Sequence, residues 1–74
     1  MEQRFIELLK ETLEINDREI NVSDKFREYN EWDSIAALNV IAMIDEEYDF
    51  VLEVNRFKEL QTVGDLISEI KKHI

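Results

Sequence analysis

The chain has 74 residues, with no cysteine, no proline and one glycine, and 18 acidic residues against nine basic ones give a net charge of −9. That length makes one domain, residues 1–74, burying about 60% of its extended surface; without cysteine there is no disulfide framework, thiolate metal site or thiol nucleophile. The charge argues against nucleic acid, which needs clustered Lys and Arg. No run reaches the roughly 18 apolar residues of a membrane span, and Met1-Glu2-Gln3-Arg4 has no signal-peptide pattern, so a cytoplasmic monomer is expected.

In chain order, the spacing of Phe5, Leu8, Leu9, Thr12 and Leu13, with Ile6 on the shoulder, predicts a first helix from about Glu2 to Ile15 that stops at Asn16-Asp17. From Asn16 to Trp32 the apolar residues Ile20, Val22, Phe26, Tyr29 and Trp32 follow neither helical nor strand period. This stretch reads as a long loop pinned to the core by those side chains, with one turn near Asp24–Arg27. A second helix is expected over Ser34–Tyr48, opened by Asp33 or Ser34 as an N-cap, with Trp32 before it as a hydrophobic staple. A short third helix follows near Asn55–Leu60, burying Phe57 and Leu60. The fourth starts at Thr62, with Asp65 completing a capping box, and buries Val63, Leu66, Ile67, Ile70 and Ile74. Lys71, Lys72 and His73 then stand at the negative end of its dipole. No segment alternates as a strand does. The expected fold is all-α, a small irregular four-helix bundle with a long loop between helices one and two and a short third helix.

The second helix carries two apolar stripes. At about 100° per residue, Ala37, Val40, Ile41, Ile44 and Tyr48 share the arc expected to face the core, while Ile35, Leu38 and Ala42 share another. Two readings stand for the second stripe: a central helix packed on both sides, or a partly exposed patch rimmed by Asp33, Asn39, Asp45 and Glu46. The latter has the anatomy of a transient interface. Charge favours a recognition surface here, because eight acids and no base lie between Arg27 and Arg56. Such a field attracts basic protein partners.

Enzymatic chemistry has little support. His73, the only histidine, is not placed to serve Ser34 in a triad, and no glycine-rich elbow surrounds that serine. The cluster Asp45-Glu46-Glu47-Tyr48-Asp49 lacks the glycine and alternating ligands of an EF-hand loop. One glycine cannot build a Walker-type phosphate loop. Ser34 itself stands at the first turn of a helix, where the dipole favours anionic groups.

The order of these pieces resembles the acyl carrier protein family over nearly the whole chain. The resemblance rests on Asp33-Ser34-Ile35 heading an acidic helix that ends Asp45-Glu46-Glu47-Tyr48, and on Phe57-x-x-Leu60-x-Thr62-Val63-Gly64-Asp65-Leu66 leading into the last helix. It implies a carrier rather than an enzyme. Ser34, preceded by Asp33, would receive a covalent 4′-phosphopantetheine arm from coenzyme A through a phosphopantetheinyl transferase, and acyl groups would travel on the arm as thioesters. Acyl-transferring and synthase enzymes would dock basic patches on the second helix, with Ile35, Leu38, Ala42, Glu46 and Glu47 as the contact residues. Three departures stand out: Ile35 where leucine is usual, Asn30-Glu31-Trp32 for the common Leu-Gly-x, and Ala36 and Asn39 where acids often stand. They point from housekeeping fatty-acid synthesis towards polyketide, specialised lipid or cell-surface biosynthesis. A D-alanyl carrier is the nearest alternative within this architecture. From a different class, an unmodified acidic helical adaptor for a basic partner also explains the charge.

Overall fold

Helical periodicity and a few backbone contacts account for the architecture. A computed structural model describes residues Met1–Ile74. It contains α1 (Glu2–Leu13), α2 (Ser34–Tyr48), α3 (Val54–Phe57) and α4 (Val63–Lys71), with a 3₁₀ turn at Phe26–Glu28 inside the α1–α2 loop. This is the expected all-α four-helix arrangement. The single bridge between Lys25 and Thr62 adds no strand.

On α1, Phe5, Leu8, Leu9 and Leu13 are buried, as their spacing requires. The helix ends at Leu13, two residues before the expected Ile15. Glu14 turns left-handed, with φ 57°, and the Ile15 N–H donates to the Lys10 carbonyl at 2.9 Å. This Schellman-type turn redirects the chain so that Ile15 enters the core, only 1% exposed.

The long loop is anchored by Ile20 and Phe26, which are buried, and by Tyr29 and Trp32, which pack against the core half-buried. Val22 is not one of its pins: its side chain is exposed, and its carbonyl accepts the Gly64 N–H at 2.8 Å. A Cβ on Gly64 would lie 3.1 Å from that carbonyl oxygen, so the one glycine marks the place where two backbones approach closely. Arg18 forms a two-pronged pair with Glu31, at 2.6 and 3.1 Å, and lies over the Tyr29 ring; Tyr29 donates to Asp24 at 2.8 Å. Arg18 holds the Glu31 carboxyl below its ordinary range, and burial together with Asp24 pushes the Tyr29 phenol up.

α3 begins at Val54 and stops at Phe57, shorter than the expected Asn55–Leu60. Leu60 is still buried, reached through a turn. Arg27 holds that turn. Its guanidinium donates to the Phe57 carbonyl at 2.6 Å, which also accepts the Leu60 N–H at 3.1 Å, and to the Leu60 carbonyl, and so ties the turn after α3 to the loop. α4 opens as expected: the Asp65 N–H donates to Thr62 Oγ1 and the Thr62 N–H to Asp65, both at 3.1 Å. The two backbone N–H groups of Gln61 and Thr62 hold the Asp65 carboxyl below its ordinary range. Ile74 is exposed rather than buried. His73 stacks on Phe50, with ring centroids 4.2 Å apart, and its Nε2 lies 3.9 Å from Glu69.

Candidate functional site

The head of α2 is built by Asp33. Its backbone is extended, and its Oδ1 accepts the Ala36 N–H at 2.7 Å while its carbonyl accepts the Ala37 N–H at 3.1 Å. Asp33 is therefore the N-cap and Ser34 the first helical residue. Because the cap is supplied by its neighbour, the Ser34 side chain is exposed and its hydroxyl remains free. The first-turn N–H groups of Ser34 and Ile35 have no acceptor within the helix.

Farther along α2 the core face is rotated from the expected one. Ala36, Val40, Met43 and Ile44 are buried, whereas Ala37, Ile41 and Tyr48 are half-buried. The apolar surface of α2 is wider than the core covers, so its edge is left to a second feature. That feature is a groove of about 330 Å³ running along α2 and α3 from Ser34. Ala37, Leu38 and Ile41 line it from α2, Val54 and Phe57 from α3, and Trp32 from the loop. Arg27 and Lys58 are its only charged lining residues.

Trp32 stacks on Phe57 and lies tilted against Phe26, with ring centroids 6.0 and 5.0 Å apart. The expected staple is thus part of an aromatic cluster joining the loop to α3. Of the second stripe, Leu38 is 62% exposed and faces the groove, while Ile35 is 65% exposed and lies outside it with exposed Ala42. Glu46 is exposed, and Glu47 turns towards α1, where its carboxylate lies 3.8 Å from Arg4. The acids named together in the sequence therefore part company on the helix.

Sequence reasoning missed Arg27, Val54 and Lys58 as site residues, and placed Ala37, Ile41 and Phe57 in the core alone. No local pattern marks them. Arg27 and Lys58 bound the acidic stretch loosely in sequence, but only the chain path brings both to Ser34. No helix is long and apolar enough to cross a membrane.

Comparison with known proteins decides the family. The model described as the phosphopantetheine attachment site matches residues 3–70. The chain belongs to the acyl carrier protein family. Among curated relatives, an acyl carrier protein of Borrelia garinii subsp. bavariensis is 29% identical over 65 residues, 88% of this chain and 81% of that protein. Acyl carrier proteins from two Borreliella burgdorferi strains match to the same extent. The fold is also that of a holo acyl carrier protein from Geobacter metallireducens, solved by solution NMR. That match has a TM-score of 0.83 at 17% identity, covering 96% of this chain and 82% of the other.

Acyl carrier proteins are carriers rather than enzymes, and their prosthetic group is phosphopantetheine. The residues at the head of α2 fit such a group. A free hydroxyl, unpaired N–H groups at the positive end of a helix dipole and an adjoining apolar groove without carboxylates suit a phosphodiester followed by a long, weakly polar arm.

Proposed function

We propose that Ser34 carries a 4′-phosphopantetheine arm and that the protein transports acyl groups on it between enzymes. The observation behind this reading is the division of labour at the head of α2. Asp33 caps the helix, which frees the Ser34 hydroxyl at the mouth of the groove. When bound, the arm supplies the thiol that a cysteine-free chain lacks, and acyl groups are held on it as thioesters. The chain's own residues orient that cargo: Leu38, Ile41 and Phe57 offer an apolar wall along which the arm lies out of water.

Partner enzymes, beginning with a phosphopantetheinyl transferase, read the exposed side of α2. Ile35, Leu38 and Ala42 form the apolar centre of that surface, and Asp45 and Glu46 face basic patches on the partner. Glu47 contributes mainly through the net field because it is turned towards Arg4. Trp32 beside the attachment serine and the sparsely charged first turns of α2 suit a specialised pathway, in lipid, polyketide or cell-surface biosynthesis.

The test is intact mass. Incubation with coenzyme A, magnesium and a broad-specificity transferase adds one phosphopantetheinyl mass to the protein and none to Ser34→Ala, whose circular dichroism is unchanged. A mass gain that persists in Ser34→Ala removes the assignment, and no gain in either protein favours the unmodified adaptor.

A further inference from the structure

Five of the nine bases, Arg4, Lys10, Arg18, Arg56 and Lys72, lie 2.6–3.8 Å from a carboxylate. Of the other four, Lys25 and Lys71 are exposed elsewhere, whereas Arg27 and Lys58 line the groove together with Ser34. No carboxylate lines that groove. Arg27 is fixed in it. Its guanidinium sits over the Phe26 and Phe57 rings, 4.8 and 5.2 Å from their centroids, and donates to the Phe57 and Leu60 carbonyls. Carbonyl dipoles orient a guanidinium without cancelling its charge, and its five N–H donors leave some free. Lys58, just past the end of α3, is exposed, and its flexible stem lets the ammonium follow an anion.

An anion on Ser34 needs such charges, because the end of α2 already holds one. A helix N-terminus offers the equivalent of about half a positive charge. The Asp33 carboxylate, which accepts the Ala36 N–H at 2.7 Å, brings a full negative charge to the same turn. That turn is therefore net negative before anything is attached to Ser34. The first-turn N–H groups still donate, but they do not offset a second anion in a domain of net charge −9. Resting on the reading of Ser34 as the attachment site, we propose that Lys58 and Arg27 are positioning residues for the arm: they pair with the phosphodiester on Ser34 from within the groove and so turn the root of the arm into it. Asp33 stands outside the groove, so its repulsion acts in the same sense. Apolar walls strengthen the pairing by reducing the water around it.

The test compares apo and holo forms, the latter prepared with coenzyme A, magnesium and a broad-specificity transferase, for the native chain, Lys58→Gln, Lys58→Arg and Lys71→Gln. Lys71 lies on α4 outside the groove and controls for net charge. At low salt the change in thermal midpoint from apo to holo should be about 2–5 °C less favourable in Lys58→Gln than in the native chain, the scale of one ion pair in so small a domain. Lys58→Arg and Lys71→Gln should keep the native difference. The effect should fade near 1 M salt, where screening acts within about 3 Å. The phosphorus NMR signal of the holo protein should also move in Lys58→Gln towards its position in the urea-unfolded chain, which a purely structural role for Lys58 would not cause. Equal apo-to-holo differences in the native chain and Lys58→Gln overturn the proposal, as does a phosphorus signal that Lys58→Gln leaves in place. An equal change in Lys58→Gln and Lys71→Gln also overturns it, since net charge alone would then act. Failure of the native chain to load removes the reading of Ser34 and this proposal with it, whereas loading without an effect of Lys58 removes the proposal alone.

Discussion

Trp32 and Phe57 stack beside Ser34, with ring planes 25° from parallel. The pair joins the end of the long loop to α3, an element too short to persist alone. Phe57 is 4% exposed, so Phe57→Ala is expected to cost about 3–5 kcal/mol, a large share of the stability of a domain this size. Trp32 is the only tryptophan, so urea unfolding followed by its fluorescence reads this directly.

Leu38 and Ile44 occupy the same helix in opposite environments. Ile44 is fully buried, and Ile44→Ala should destabilise by about 2–5 kcal/mol. Leu38→Ala should cost under about 1 kcal/mol, as exposed substitutions do, yet slow the transferase reaction. Urea unfolding and modification rates of both variants check this; equal destabilisation would return Leu38 to the core.

The Tyr48 hydroxyl is buried without a hydrogen-bond partner, and burial pushes its phenol above the ordinary value. An unpaired buried polar group costs free energy that its removal recovers. Tyr48→Phe should therefore be neutral or stabilising by up to about 1 kcal/mol. A marked fall in the thermal midpoint would reveal a partner for the hydroxyl.

Glu69 links α4 to α3 through Arg56, with 2.8 Å between Nη2 and Oε1, and Arg56 holds its carboxyl below the ordinary value of 4.5. Near and below that value the unfolded chain takes up a proton that the folded protein refuses. The stabilisation is thus present above about pH 4.5 and is lost as the pH falls through the lower folded value. Denaturation curves at successive pH values should show a shallower acid limb for Glu69→Gln than for the native chain.

Recognition through α2 should depend on salt and on position. Charge reversal at Asp45 and Glu46 should slow phosphopantetheinylation most at low ionic strength, with little change in thermal midpoint, since exposed charges mainly set association rates. Reversal of Glu2 and Glu7 on α1 is the control. An equal effect from both pairs would show that net charge, rather than a docking face, governs encounter.

Much of this protein is determined by short-range chemistry and was legible in the residues themselves. The apolar period of α1, the Thr62–Asp65 capping box and the position of Ser34 at the head of α2 each depend on neighbours within one or two helical turns. Tertiary structure decided the rest. Spacing gives a residue's angle on a helix but not what lies at that angle, so only packing buried Ala36 and Met43 and left Ala37 and Ile41 to the groove. α1 stops at Glu14 because Ile15 must turn into the core, and the turn that follows α3 is held by Arg27, distant in sequence, through the Phe57 and Leu60 carbonyls. The meeting of Arg27 and Lys58 beside Ser34 has the same origin: no local preference places them together, and the path of the chain does.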